Sequence, residues 1–99
     1  MMSQAEALSR LRRCAPALRA AGATALYLFG SVARNEAQPG SDLDLFVEYA
    51  LEGRFSLLDL VGIKQLLEEE VGVPVDVTTR NSLHPLLRAD IERSAVQVF

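Results

Sequence analysis

Apolar residues at positions 8, 11, 15 and 18 recur at intervals of three and four. That period predicts a helix over residues 4–21 with Leu8, Leu11, Ala15 and Leu18 on its inner stripe. Pro16 interrupts it, because proline has no N–H to donate and its ring collides with the preceding turn. Either the helix kinks there, or a second short helix starts with Pro16 in its first turn; Gly22 is the stop. Residues 25–29, Ala-Leu-Tyr-Leu-Phe, are a short apolar run with the look of a strand buried on both faces. Residues 31–36 suit a brief helix, and Gln38-Pro39-Gly40-Ser41 is a turn by composition. Residues 42–48 alternate charged and apolar before Val47, which predicts a strand with two unlike faces.

Ser56 followed by Asp59 is a capping-box start for a helix running to about residue 71, with Leu60, Ile63, Leu67 and Val71 inward. Glu68, Glu69 and Glu70 fall near its C-terminus, where the helix dipole disfavours anions, so they read as a solvated face. Gly72 and Pro74 end the helix. Residues 74–79 form another strand around Val75-Asp76-Val77, residues 83–93 a last helix with Pro85 in its first turn, and residues 96–99 a short final strand. The alternation of helices and strands defines an α/β (α+β) domain on a small sheet. With no internal repeat, low-complexity tract or linker, residues 1–99 read as one domain.

Composition narrows the setting. Of 99 residues, 49% are hydrophobic, enough for a core. No apolar run approaches the roughly 20 residues that cross a bilayer, and the N-terminus lacks the basic and apolar blocks of a signal peptide. One cysteine, Cys14, makes no internal disulfide, so a reducing cytoplasm is the expected compartment, and packing is its expected role. One Cys and one His exclude a structural zinc site. The net charge of −3 and a pI near 5.0 argue against a nucleic-acid partner, whose phosphates call for a basic surface. Arg10, Arg12, Arg13 and Arg19 are the local exception, either a solvated helix face or a surface for an acidic partner. His84 reads as a capping or surface residue and Tyr27 as core; Tyr49 is a candidate for lining a base pocket.

The chemistry concentrates in Phe29-Gly30-Ser31-Val32-Ala33-Arg34 and Gly40-Ser41-Asp42-Leu43-Asp44-Leu45. Asp42 and Asp44, two apart on a strand, project from one face about 7 Å apart, while Leu43 and Leu45 point into the core. Two carboxylates so placed repel unless a cation lies between them, and hard oxygen ligands suit Mg²⁺. Gly30 lets the backbone approach a phosphate, and a helix start at Ser31 offers unpaired N–H donors besides its hydroxyl. Arg34 faces either a phosphate or water. Asp76, between two valines on a strand expected to be central, needs a partner or a metal. If that strand lies beside residues 42–48, the three acids converge. They could then hold two metal ions about 3.5–4 Å apart across an in-line displacement, with Asp76 helping to remove the proton of an attacking hydroxyl.

An apolar strand, Gly-Ser, ten intervening residues, Asp-x-Asp and a strand-borne Asp together resemble the DNA polymerase β-type nucleotidyltransferase superfamily. Within it the chain resembles the minimal nucleotidyltransferases, or MNT-domain proteins. The resemblance runs from the helix before Leu26-Tyr27-Leu28-Phe29-Gly30-Ser31 to Ile91-Glu92-Arg93-Ser94-Ala95-Val96. It implies a mixed sheet flanked by helices, a triphosphate loop at Gly30 and Ser31, and metal carboxylates at Asp42, Asp44 and Asp76. It further implies ATP as substrate with Mg²⁺, and an antitoxin role beside a HEPN-domain toxin, in some members by transferring AMP to a toxin tyrosine. Asn35 stands where the family often has glycine in Gly-Ser-x-Ala-Arg-Gly, and asparagine tolerates the left-handed backbone such a turn needs. The complete acid set favours catalysis over the alternative, a module that neutralises its partner by occlusion. Little of the chain falls outside the catalytic module, so the acceptor is expected to bring its own surface.

Overall fold

Pro16 splits the N-terminal helical region in two in the computed structural model, which describes residues 2–38, 40–50, 52–53 and 55–99. Helix α1, Gln4–Arg12, is capped by Ser3, whose hydroxyl oxygen accepts the Glu6 N–H. Helix α2, Ala15–Ala20, carries Pro16 in its first turn, the second of the two arrangements open to the sequence. Strand β1, Ala23–Phe29, then runs straight into α3, Gly30–Ala33. That helix is shorter than expected because the chain leaves helical geometry at Arg34 and turns left-handed at Asn35, with φ of 57°. The Gln38–Ser41 turn closes with the Ser41 N–H donating to the Gln38 carbonyl at 2.9 Å; Pro39 lies outside the described residues.

Strand β2, Leu43–Tyr49, begins one residue after Asp42. Helix α4, Leu57–Val71, starts from the expected capping box, with Ser56 and Asp59 bonding each other's backbone N–H, and stops at left-handed Gly72. Strand β3, Val75–Thr79, leads into a 3-10 turn, Arg80–Ser82. Helix α5, Arg88–Ser94, begins five residues later than the pattern predicts. His84 holds the chain before it: its Nδ1 accepts the Leu86 N–H and its carbonyl accepts those of Leu87 and Arg88. Strand β4, Val96–Gln97, completes a mixed sheet of order β3-β2-β1-β4. β1 is antiparallel to both neighbours; β2 and β3 are parallel, with α4 as the crossover such a pair requires.

One face of the sheet makes the core. Leu26 and Leu28 of β1 and Leu43, Leu45 and Val47 of β2 pack with Ala7, Leu11 and Leu18 and with Ile63, Leu67 and Val71 of α4. The other face holds fully buried Phe46, with Tyr27 stacked on it at 4.8 Å and Phe29 tilted at 5.8 Å. Tyr27 and Phe29 are only half-buried, so β1 is covered completely on one face and partly on the other, and Tyr27 is not a core residue.

Two expectations change here. The N-terminal arginines are neither a plain solvated face nor a free basic surface. Arg10 donates to the Val71 carbonyl and Arg12 to the Val98 carbonyl, Arg13 pairs with Glu70, and Arg19 lies over the Phe99 ring. They tie α1 and α2 to the end of α4 and to the chain's last residues. Glu68, expected in water, accepts the Val75 N–H at 3.1 Å and so joins α4 to the start of β3. Among the described residues, no helix is long and apolar enough to cross a membrane.

Leu67 is fully buried, so Leu67→Ala should lower unfolding free energy by about 2–5 kcal/mol in denaturant titration. Leu58 on the same helix is 82% exposed, and Leu58→Ala should stay within about 0.5 kcal/mol of wild type.

Candidate active site

β1 ends at Phe29, which pairs across the sheet with Asp44. The next residue, Gly30, has φ of 76°, a left-handed value that disfavours any side chain. Space excludes one as well: a Cβ on Gly30 would overlap the Oδ2 of Asp44. The expected neighbour of this glycine is a phosphate; in this structure the group packed against it is the Asp44 carboxylate. Ser31 follows, half-buried, and its carbonyl accepts the Glu36 N–H at 2.8 Å across the turn that Asn35 makes possible. The substitution of asparagine for glycine is thus accommodated by the left-handed conformation itself.

On the other side of β2, Asp44 stands in register with Asp76 of β3. Parallel neighbours in register point to the same face, so the two carboxylates share the face opposite the core. Asp42, just ahead of β2, is exposed. The strand bearing Asp76 is an edge strand, not the central one expected, and Asp76 is exposed, so burial in an apolar strand is not what demands a partner for it. The demand comes from charge. Burial pushes the Asp44 carboxyl above its ordinary value, and the negative charges of Asp76 and then Asp42 push it further, against the opposing pull of Arg34. Both other acids therefore act electrostatically on Asp44.

They are not drawn into a closed cluster. Among the described residues, no group of three or more His, Cys, Asp or Glu side chains is arranged to hold a metal ion. Of the three acids expected to converge, Asp44 and Asp76 stand side by side in register, and the charge of Asp42 is felt at Asp44. The donor set nonetheless fits a hard divalent cation: carboxylate oxygens only, at a carboxyl that burial and then neighbouring negative charge hold above its ordinary value. Arg34 does something between its two expected roles. Its Nε meets Glu36 Oε2 at 3.1 Å in an exposed pair, yet its charge is felt at Asp44.

Other candidates fall away from this end of the sheet. Tyr49 lies five residues along β2 from Asp44, roughly 17 Å at a strand's rise, and stacks on Phe55 at 4.6 Å. His84 serves the entry to α5, and Cys14 is buried, its thiol pushed up by burial and by Glu70. A cleft of about 450 Å³ is lined by Glu6, Arg10, Ser41, Leu43 and Val73 among others. None of Gly30, Ser31, Asp44 or Asp76 lines it. It opens where Leu43 points, on the core side of β2, and the acids occupy an open surface instead. Sequence reasoning missed Arg80, which lies over Tyr27 and Phe46 on the acid-bearing face; a lone arginine after a strand carries no signal of that placement.

A Gly-Ser turn between a strand and a short helix, packed against an Asp-x-Asp strand of a mixed sheet, is the arrangement of a nucleotidyltransferase. Residues 8–98 match the family described as nucleotidyltransferase domain, and the chain belongs to that family. Its relatives narrow the class to the minimal nucleotidyltransferases. The chain is 49% identical over 88 residues to Methanocaldococcus jannaschii MJ0435, provisionally named a protein adenylyltransferase, covering 89% of this chain and 92% of that one. It is 32% identical over 77 residues to the protein adenylyltransferase MntA of Thermococcus cleftensis, covering 78% and 76%. A solved structure provisionally described as a minimal nucleotidyltransferase superposes with a TM-score of 0.72 at 40% identity, over 96% of this chain and 95% of that one. The same fold recurs at lower identity in two toxin–antitoxin structures. One, with AMP-PNP, has a TM-score of 0.70 at 21% identity over 89% and 72% of the two chains. The other is a tri-AMPylated Shewanella oneidensis HEPN toxin in complex with MNT antitoxin, with a TM-score of 0.64 at 19% identity over 93% and 71%.

Gly30→Ala places a methyl group on the Asp44 carboxylate at a left-handed position. It should lower the melting temperature, by roughly 1–3 kcal/mol of strain, and lower nucleotidyl transfer with it; a variant indistinguishable from wild type in both would contradict this geometry.

Asp44 also generates a pH prediction. Its folded-state pKa is raised above the ordinary aspartate value of 3.8, so the folded state holds the proton more tightly than the unfolded chain. Stability should therefore fall as pH rises from about that ordinary value through the raised pKa. Above that window the ionised carboxylate is a net liability. Asp44→Asn should be more stable than wild type at neutral pH without added metal, and the difference should shrink as pH falls through the window. Thermal unfolding at a series of pH values measures this.

Proposed function

We propose that this chain is a Mg²⁺-dependent adenylyltransferase that transfers AMP from ATP to a hydroxyl, that of a tyrosine, on a HEPN-domain toxin, and so acts as its antitoxin. The observation that carries the reading is the placement of Asp44 between Gly30 and Asp76, in register across two strands and electrostatically coupled to Asp42. The names of the relatives support protein adenylylation, and the complexes that share the fold support a HEPN partner and an adenine nucleotide.

In this reading Gly30 and Ser31 seat the triphosphate, with backbone N–H groups and the Ser31 hydroxyl as donors. Asp42, Asp44 and Asp76 would hold Mg²⁺, two ions in all, whose chemistry is to neutralise the phosphates and favour the deprotonated acceptor. Asp44 anchors the arrangement because it is the least mobile of the three, set in a strand paired on both sides. Asp76 faces the incoming hydroxyl and takes its proton. The acceptor oxygen attacks the α-phosphorus, a new phosphoester bond forms, the α–β bridging bond breaks, and pyrophosphate leaves. Arg34, already within electrostatic reach of Asp44, turns toward the phosphates from Glu36.

The test is incubation of the chain with labelled ATP, Mg²⁺ and a HEPN-domain protein encoded beside it, followed by mass analysis of both proteins. The partner should gain adenylyl units with wild type and none with Asp76→Asn, while the variant still binds the partner. Metal activation of this kind typically contributes several kcal/mol of barrier, so the loss should be at least about a thousandfold. If Asp76→Asn neutralises the partner as well as wild type does and no modified partner forms, neutralisation is by occlusion and the transfer reading fails.

A further inference from the structure

β3 joins the sheet through β2 alone, so whatever holds β3 in register decides where Asp76 stands against Asp44. An edge strand has backbone bonds on one side only and opens at lower free energy than a central strand. Both ends of β3 are tied by charged side chains from other elements. At its start, the Glu68 carboxylate of α4 accepts the Val75 N–H. At its end, Arg80 directly follows Thr79 and spans three elements.

The Arg80 contacts are the densest polar construction in the described residues. Nη1 donates to Glu92 Oε2 of α5 at 2.8 Å, and Nε lies 2.8 Å from Glu48 Oε1 of β2. The Nε–H is not aimed along that second contact, which is therefore ionic rather than a hydrogen bond. The guanidinium lies 5.0 Å from the centre of the Tyr27 ring and 5.1 Å from that of Phe46. At 28% exposure, the side chain is sheltered from the screening that makes exposed ion pairs nearly worthless. Glu92 also pairs with Arg88 one turn earlier in α5, at 3.2 Å, so the carboxylate that Arg80 meets is held within its own helix.

Arg80 has no direct part in the transfer proposed above. It lies four residues along the chain from Asp76, and its guanidinium is committed to Glu48 and Glu92. We propose that Arg80 is a positioning residue: by clamping the end of β3 to β2 and α5, it keeps Asp76 in register beside Asp44. Its consequence for catalysis rests on the adenylyltransferase reading of Asp76, whereas the clamp itself does not.

Two variants and two readouts test it. Arg80→Gln removes the charge. Arg80→Lys keeps a point charge that can serve one carboxylate but cannot lie flat on the rings while bridging two. Hydrogen exchange at the β3 amides should accelerate roughly tenfold or more in Arg80→Gln and by less in Arg80→Lys, with β1 amides unchanged. In transfer assays, the Mg²⁺ concentration for half-maximal rate should rise several-fold, and kcat at cellular Mg²⁺ should fall, while the KM for ATP at saturating Mg²⁺ stays at the wild-type value. The proposal is overturned if β3 exchange is unchanged, or if β1 and β3 accelerate together, since the arginine would then serve general stability. It is overturned equally if β3 loosens but the Mg²⁺ dependence does not move in an active enzyme. If wild type transfers nothing under any condition, the adenylyltransferase reading fails and the exchange data alone decide the clamp.

Discussion

Like charge gathered at one carboxylate is the constraint around which this protein is arranged. Asp44 is half-buried beneath Gly30, with Asp76 in register on one side and Asp42 ahead of it, and its pKa rises in consequence. Left to itself such a group would rotate or shift until the charges separated. It is kept in place by the opposite side of its own strand, where Leu43, Leu45 and Val47 are buried against α1 and α4. Alternation along β2 thus uses apolar burial on one face to maintain electrostatic strain on the other. The strain is useful only to a visitor of opposite charge, and the donor set suits a divalent cation with its phosphates.

Much of this was legible in the residues before any geometry. The alternation along residues 42–48 put Asp44 opposite the buried Leu43 and Leu45, the capping box at Ser56 and Asp59 placed α4 to within a residue, and Pro16 announced a break. What was not legible depended on partners distant in the chain. Glu68 looked solvated because a run of glutamates near a helix end usually is; only the position of β3 shows that the Val75 N–H needs it. The N-terminal arginines read as a solvated helix face or a surface for an acidic partner, but Arg10 and Arg12 of α1 reach the Val71 and Val98 carbonyls, 61 and 86 residues away. Helix α5 starts late because His84 and Pro85 hold the preceding turn, a local arrangement that hydrophobic period alone does not specify. Strand order was the largest gap: periodicity reports which face is buried, never which strand is outermost, and so Asp76 was assigned to a central strand.

The correction about Asp76 changes the argument for it. A buried acid would have needed a metal merely to be tolerated, whereas an exposed acid on an edge strand is tolerated without one. Its value lies in being accessible. In the proposed transfer the acceptor hydroxyl would reach the acids from solvent, and an edge strand is where approach is least hindered. An acceptor arriving as part of a macromolecule would supply its own walls, which fits acids that line none of the 450 Å³ cleft.

Accessibility and precision pull against each other on an edge strand. β2 is fixed by ladders on both sides and by a core face, but β3 has one ladder of five residues, and Asp76 is its second. A shift of one residue would turn Asp76 to the opposite face, beside Leu43 or Leu45, because side chains alternate with a period of two. Backbone pairing with β2 opposes that slip, yet a parallel ladder this short is easily frayed. Charged ties at each end resist fraying without covering the strand's outer edge, as a further strand would. The fold therefore keeps its third acid both open to a partner and aligned with Asp44 by placing the restraints at the ends of β3 rather than along it.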